Sequence, residues 1–335
     1  MRRDRAAHRL GCVEDPDLTQ LLRELGGVAT RAALLVHVER TTVDHALRAG
    51  TVVADARGRY RLPTADEGVR LAHRLSGVLC LTSAALHHGW EVRQAPDVPH
   101  VLLPRKRTVP AHLRGTVHLH RGDLLVEERS GPTTSVELTL DQCLRSLRWP
   151  DALSVADSAL RHDVPPSVLR RLARTARGPG AVQLRRVAAE ARREAANPFE
   201  SSLRAVALDV AGLHVRPQGR VELPDRTIHP DLVDDDLRIV LEADSFLWHG
   251  HRSALRDDAR HYDELVVAGW LVLRFAWEDV MHDPAWVRSV LERAVALRVG
   301  RTEGHLVPTA AARRRDGCAR CGSGPAVRSV RLTAP

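Results

Sequence analysis

The spacing of apolar residues predicts three short helices and a β-hairpin within residues 16–62. Leucines recur at every third or fourth position of the first helix, and Gly26-Gly27 ends it. Thr30 can cap a second helix, and a third is expected over 41–49. Strands at 51–54 and 59–62 then flank a turn. Because helices and a hairpin in this order are typical of a winged helix-turn-helix, we assign residues 1–65 to such a domain.

The pattern of apolar and polar residues between 66 and 180 predicts both helices and strands. It predicts helices near 68–75, 83–88, 136–147, 153–161 and 167–176, with strands at 100–103 and 116–120. His87 and His88 are expected at a helix end or in the core, and no catalytic constellation stands out. We therefore interpret this region as an α+β companion domain.

A third domain is predicted over 181–300. A helix at 181–196 leads into a second helix, for which Asn197 is the N-cap and Pro198 the first residue. Strands are expected at 213–221, 227–233, 238–244 and 270–275, with a crossover helix at 253–267 before the last. A final helix reaches Gly300, and the polar tail 301–335 is expected to be disordered. The chain is thus predicted to be an α/β multi-domain protein.

Acidic residues stand on two neighbouring strands of this third domain. A four-residue loop would pair Val233 with Arg238 and place Asp231 diagonally across from Glu242 on one face, whereas a three-residue loop would separate them. Asp244 shares the face of Glu242 in any register. Carboxylates suit Mg²⁺ or Mn²⁺, with Asp231 and Glu242 as the metal ligands. Phosphodiester hydrolysis is the chemistry that such a site would serve.

Charge and composition limit the classes of binding partner that are expected. The net charge of +8 indicates an anionic partner, and nucleic acid is the commonest. Lys106 is the sole lysine, however, so the arginine bias is equally well explained by codon composition. No run approaches the ~18 to 20 apolar residues of a membrane span, and no apolar stretch follows the charged N-terminus, so a cytoplasmic location is expected. A lone pair, Cys318 and Cys321, lacks the two further ligands of a zinc site.

In the predicted winged helix, arginines could contact DNA phosphates from the third helix and the hairpin. The candidates are Arg40, Arg48, Arg57, Arg59 and Arg61. A protein-interaction module is the alternative interpretation of the same domain.

A family resemblance covers about a hundred residues of the third domain. It is carried by Glu200, Pro230-Asp231, Glu242-Ala243-Asp244, Phe246, His249, Asp258, Arg260, Leu265 and the run 269–275. In order and spacing these match a widespread family that resembles the very-short-patch-repair (Vsr) endonucleases and shares the PD-(D/E)xK restriction-endonuclease fold. The resemblance implies a Mg²⁺-dependent endonuclease acting on DNA.

The resemblance also implies residue roles. Asp231 would be the principal metal ligand, Glu242 the second acid, and His249 the base or acid. Glu200 would assist through water or orient the base, although its position also fits a capping box with Asn197. The chain departs from the family pattern at one position.

That position is Asp244, which stands where many of these enzymes have lysine. The third domain contains no lysine that could take this role, so activity would depend on His249 or a second metal. Gln218, Asp258 and Arg260 match supporting positions.

The segments 26–31, 58–63 and 82–89 resemble AbiEi-type antitoxins, which are transcriptional regulators of abortive-infection toxin–antitoxin pairs. Three functions are therefore open. The first is an endonuclease in phage defence or DNA repair. The second is a DNA-binding regulator or antitoxin with an inactive nuclease-like domain. The third is a toxin–antitoxin partner that acts through protein contacts. The sequence does not specify the oligomeric state.

Overall fold

The computed structural model describes residues 18–224, 226–244 and 252–304, and within them all side chains except those of 252–258 and 301–304. Its first unit, residues 18–62, contains three helices and a small sheet in which the strands lie in the order β1-β3-β2. The elements are α1 (Leu18–Glu24), β1 (Val28–Thr30), α2 (Arg31–Leu34), α3 (Arg40–Ala49), β2 (Val53–Ala56) and β3 (Arg59–Arg61).

The local sequence explains most of this N-terminal unit. The Thr30 hydroxyl accepts a hydrogen bond from the Ala33 backbone N–H at 3.2 Å, as the capping prediction requires. The third helix begins at Arg40, one residue before the earliest predicted start. Strand β1 was not predicted, because three residues are too few to show an alternating pattern. It pairs antiparallel with β3.

The middle unit, residues 67–190, combines a mixed sheet with helices. Its elements are α4 (Glu67–Arg74), β4 (Val78–Leu79), α5 (Leu81–His87), β5 (His100–Leu103), β6 (His118–Arg121), β7 (Arg129–Ser130), β8 (Thr133–Thr134), α6 (Val136–Ser146), α7 (Trp149–Arg161), α8 (Pro166–Thr175) and α9 (Ala181–Glu190). The sheet order is β6-β5-β4-β8-β7. The predicted helices and strands of this region are present, and the additional strands have two residues each.

Helix α9 ends at Glu190, six residues before its predicted end. The buried carboxylate of Asp157, on α7, accepts a hydrogen bond from the Arg192 backbone N–H at 2.8 Å. Because this amide lies just beyond the helix end, its bond to Asp157 replaces a bond that would continue the helix. The sequence pattern could not show this contact, since it joins residues far apart in the chain.

The C-terminal unit, residues 197–304, is built on a sheet with the order β14-β13-β12-β9. Its elements are α10 (Pro198–Ala207), β9 (Arg216–Pro217), β10 (Val221–Glu222), β11 (Thr227–Ile228), β12 (Leu232–Asp234), β13 (Ile239–Asp244), α11 (Arg252–Val267), β14 (Leu271–Ala276), α12 (Trp277–His282) and α13 (Pro284–Gly304). Strands β13 and β14 are parallel and are joined through α11, as predicted. The predicted strands 213–221 and 227–233 are each divided into two short strands, and helix α12 was not predicted.

The register between β12 and β13 differs from the prediction. Val233 pairs with Val240 and Asp234 with Ile239, so the pairing of Val233 with Arg238 is wrong by two residues. A shift by two residues keeps every side chain on its face. Continuing the register places Asp231 directly opposite Glu242 rather than diagonally across from it. The two acids therefore lie closer than expected.

Buried aliphatic and aromatic residues hold α10, α12 and α13 against one face of this sheet. They include Leu203, Leu232, Leu241, Phe275 and Leu291. Mixed α/β architecture with several sheets is thus present throughout the part of the chain that the structure describes. Within that part, no helix is long and apolar enough to cross a membrane.

Candidate active site

Helix α10 presents Glu200 from its first turn. The Asn197 carboxamide oxygen accepts from the backbone N–H groups of Phe199 (2.9 Å) and Glu200 (3.0 Å), which fixes the start of the helix. In return, the Glu200 carboxylate accepts from the Ala196 backbone N–H and from Asn197 Nδ2, both at 2.8 Å. Only 4% of Glu200 is exposed. The N-cap is therefore present, but Glu200 bonds the Ala196 N–H and the Asn197 side chain rather than the Asn197 N–H of a capping box, and a buried charge exceeds what a cap needs.

Asp231 and Glu242 face each other where β12 and β13 meet. Asp231 Oδ2 accepts from the Ala243 backbone N–H at 2.8 Å. The Asp231 backbone N–H donates to Glu242 Oε2 over a longer 3.3 Å. Pro230 precedes Asp231, and the strand begins only at Leu232. The hairpin thus brings two carboxylates to one face of the sheet.

Gln218 connects this pair to α10. Its backbone has a φ of 51°, a left-handed conformation that is uncommon for a residue other than glycine. Its N–H donates to the Asp231 carbonyl at 3.0 Å, and its Nε2 donates to Glu200 Oε2 at 3.2 Å and to Asp231 Oδ1 at 3.4 Å. Strained backbone of this kind occurs often at functional sites. Gln218 is therefore more central than a supporting position would require.

The three carboxyls form an electrostatically unfavourable cluster. Burial raises the pKa of Glu200, and the nearby Asp231 raises it further. Burial also raises the pKa of Asp231. For Glu242, burial and then repulsion by Asp231 raise the pKa to about 8. Carboxyls in such surroundings hold a proton near neutral pH unless a cation compensates them.

Asp244 lies at the end of β13 and has a cation of its own. Its Oδ2 accepts from Arg274 Nη2 at 2.7 Å, in a pair that is partly exposed to solvent. The Arg274 guanidinium also lies 4.2 Å from the ring centre of Tyr262. Asp244 thus shares the sheet with Glu242 but forms an ion pair with Arg274, whereas the charge of Arg274 lowers the pKa of Glu242 without an ion pair between them.

The remaining predicted residues fall elsewhere. His249 lies outside the described residues. Asp258 is in α11, and its side chain is likewise outside the description, whereas Arg260 of the same helix is exposed. The cysteine pair 318 and 321 also lies outside the described range.

The donor set fits a divalent cation in chemistry and only partly in number. Among the described residues, no three acidic, histidine or cysteine side chains are grouped so that they could hold a metal ion. Asp231 and Glu242 supply oxygen ligands of the kind that Mg²⁺ prefers, and Mg²⁺ commonly uses one or two carboxylates with waters and substrate oxygens. The bonds that Gln218 and Asp231 donate to these carboxylates, at 3.4 and 3.3 Å, are long enough to be readily exchanged.

A buried ion pair that anchors α10 was missed by sequence reasoning. Arg204 Nη2 donates to both carboxylate oxygens of Asp157, at 2.7 and 2.6 Å, and Ser201 donates to Asp157 Oδ2 at 2.7 Å. Arg204 and Asp157 are almost fully buried. An acid among the small apolar residues of α7 was the available signal. The network ties the helix that carries Glu200 to the middle unit.

The five arginines that were predicted to contact DNA divide into two groups. Arg59 donates to Ser76 at 2.7 Å, and Arg61 lies 3.7 Å from Asp55 and donates to the Leu62 carbonyl at 3.0 Å. These two side chains face the protein. The other group remains exposed and comprises Arg40, Arg48 and Arg57.

Comparisons with known proteins give relatives of unstated function. No family model matches the chain. The chain is 26% identical over 230 residues to two Mycobacterium tuberculosis proteins, the uncharacterized proteins MT2308 and Rv2248 of two strains, covering 64% of this chain and 80% of theirs. A crystal structure of the RV2827C protein from the same organism is 18% identical, covers 62% of this chain and 87% of that one, and has a TM-score of 0.30.

Proposed function

We propose that the C-terminal unit is a metal-dependent endonuclease that hydrolyses phosphodiester bonds in DNA. One observation carries the proposal: Asp231 and Glu242 face each other half-buried, with raised pKa values and no ion-pair partner among the described residues, although the charge of Arg274 on the neighbouring strand lowers the pKa of Glu242. A protein gains no stability from such an arrangement. A divalent ion would compensate the two charges and turn an unfavourable cluster into a binding site.

In this proposal, Asp231 and Glu242 hold Mg²⁺ or Mn²⁺, with Asp231 kept in place by the Ala243 N–H. When bound, such an ion would supply charge compensation for the phosphate and activation of a water. Gln218 orients Asp231 and Glu200 toward each other through its carboxamide. Glu200, whose pKa is raised, can hold a proton close to the cluster. His249 remains the proposed base or acid.

DNA is the proposed substrate because the N-terminal unit supplies basic side chains on a helical scaffold. If this unit is a winged helix, α3 is the recognition helix, and Arg40 and Arg48 lie on it. Arg57 lies at the hairpin turn. Arg59 and Arg61 are omitted from the proposed interface, since both are half-buried and bonded within the protein, whereas Arg40 and Arg48 are exposed and, among the described residues, bond only to Asp44 of their own helix.

Cleavage of plasmid and oligonucleotide DNA by the full chain tests the proposal. We expect cutting with Mg²⁺ or Mn²⁺, none in EDTA, and a loss of at least ~100-fold in Asp231→Asn, because a metal ligand is removed. Asp236→Asn is the matched control, since Asp236 is exposed in the turn of the same hairpin. His249→Ala tests the proposed base. Equal cutting by Asp231→Asn and the wild type would contradict the assignment of the site.

The second candidate is a DNA-binding regulator, or an antitoxin, whose nuclease-like unit is inactive. It is favoured by the ion pair between Asp244 and Arg274. Asp244 stands where many enzymes of the PD-(D/E)xK family, which the sequence resembles, have lysine. Sequence-specific and salt-dependent DNA binding without turnover in Mg²⁺ or Mn²⁺ would support it. A third function, through protein contacts in a toxin–antitoxin pair, would instead give salt-insensitive association with another protein.

A further inference from the structure

A pocket of about 290 Å³ lies between the N-terminal and middle units, far in sequence from the proposed nuclease site. Apolar side chains, among them Val28 and Pro132, form part of its wall. Its polar lining includes Arg59, His73 and Ser76. Strand β3 contributes Arg59, and the end of α4 contributes His73, so the two units each supply a basic group.

Arg59 is a partly buried cation without an acidic partner. Its Nη2 donates to Ser76 Oγ at 2.7 Å, and no carboxylate of the described residues lies within ion-pair distance of its guanidinium. Burial lowers the pKa of Arg59, and the nearby Arg107 lowers it further. Arg129 is the second arginine of the pocket lining. The lining therefore carries arginine charges and no carboxylate.

His73 adds two unused hydrogen-bonding atoms. Both ring nitrogens are buried, and neither has a hydrogen-bond partner. Burial, and then the charge of Arg59, lower the pKa of His73 to about 4. Asp55 acts in the opposite direction; its Oδ1 is paired with Arg70 at 3.0 Å, while its buried Oδ2 has no hydrogen-bond partner. Buried polar atoms without partners are uncommon, and an unfilled ligand site is one of their causes.

A strained backbone conformation at Ser76 helps to hold Arg59 at the pocket. Ser76 has a φ of 65°, a conformation that normally favours glycine. The next residue, Gly77, is closely packed: an added Cβ would lie 2.4 Å from Leu103 Cδ2 and 2.5 Å from the Leu102 carbonyl oxygen. Ser76 is thus held where its hydroxyl can accept from Arg59, and the guanidinium is fixed at the pocket.

We propose that this pocket binds a small soluble molecule carrying a phosphate or carboxylate group. The oxyanion pairs with Arg59 and accepts from His73, while the apolar wall receives the rest of the molecule. Its volume suits a ligand at the small end of the usual range. Because Arg59 and His73 belong to different units, the bound anion fixes the N-terminal unit against the middle one. The pocket is a regulatory site for whatever the N-terminal unit binds.

Thermal unfolding of the full chain in increasing inorganic phosphate, at constant ionic strength set with sodium chloride, is the first test. A saturable rise in the unfolding midpoint is expected for the wild type. Arg59→Met should weaken the apparent affinity by about tenfold or more, since it removes a charged donor. Arg23→Met, which removes an exposed arginine of α1 in the same N-terminal unit, is the control and should match the wild type.

A second measurement on the unaltered protein does not depend on the variants. Imidazole NMR signals of His73 should shift with phosphate, and its pKa should rise from about 4, because the anion favours the protonated ring. An unchanged His73 signal, or an equal phosphate response in Arg59→Met, would overturn the proposal. The same His73 signals are finally recorded with a duplex oligonucleotide in place of phosphate. A His73 shift with duplex and none with phosphate would assign the pocket to the DNA interface and refute the small-ligand assignment.

Discussion

Replacing Glu242 by glutamine should stabilise the metal-free protein, the reverse of the usual effect of altering a half-buried polar residue. Glutamine has the shape of a protonated glutamate and carries no charge. Burial and repulsion by Asp231 raise the pKa of Glu242 to about 8 in the folded protein, against 4.5 as its ordinary value. The wild type must therefore take up a proton on folding at neutral pH, and the variant need not.

The size of the effect follows from this difference in pKa. One pKa unit corresponds to about 1.4 kcal/mol. Below pH 4.5 the group is protonated in both states and costs nothing; the cost then grows with pH and is complete above pH 8. At pH 7 it amounts to about 3 kcal/mol, and at pH 5 to about 1 kcal/mol. Glu242→Gln should therefore exceed the wild type in stability by two to three kcal/mol, roughly, at pH 7 and by less at pH 5.

Urea unfolding in EDTA at both pH values, with hydrogen exchange of the peptides that cover β12 and β13, measures this difference. Exchange reports opening of the hairpin itself, which matters in a chain with several cores. Glu292→Gln, an exposed change on α13, is the control and should leave the pH dependence unaltered. The reasoning is refuted if Glu242→Gln is less stable than the wild type at pH 7. It is equally refuted if both proteins lose stability in parallel between pH 5 and pH 7.

Two further substitutions test the scaffold. Asp157→Ala should destabilise the protein by about 3 to 5 kcal/mol, because it leaves Arg204 buried without its partner. In urea unfolding, Glu194→Ala, which alters an exposed acid in the loop after α9, should cost little. Gly77→Ala should cost about 1 to 3 kcal/mol through its contact with the Leu102 carbonyl. Gly115→Ala, which meets no atom within 4 Å, is its control in the same assay. An equal free energy of unfolding in urea for both alanine variants would contradict the close packing at Gly77.

The sequence predicted those elements whose signals are local. The threonine cap of α2, the Asn-Pro start of α10 and the parallel pairing of β13 with β14 all follow from residues within one segment or from one crossover. Strands of two or three residues, such as β4 and β9, show no alternation and were not predicted as such. The end of α9 depends on Asp157, a residue more than thirty positions earlier. Long-range contacts decided each of these departures.

The candidate site shows the same division. The four-residue-loop alternative placed Asp231 and Glu242 on one face, and this placement survived a two-residue error in register, because side chains alternate along a strand. Nothing local indicated that Gln218 would adopt a positive φ and bridge Glu200 to Asp231. The raised pKa of Glu242 is likewise a property of the assembled site, since burial and a facing acid produce it. The alternation of side chains therefore identifies which carboxyls meet, whereas only the fold shows that neither has an ion-pair partner among the described side chains, and this is the observation from which we propose a divalent ion.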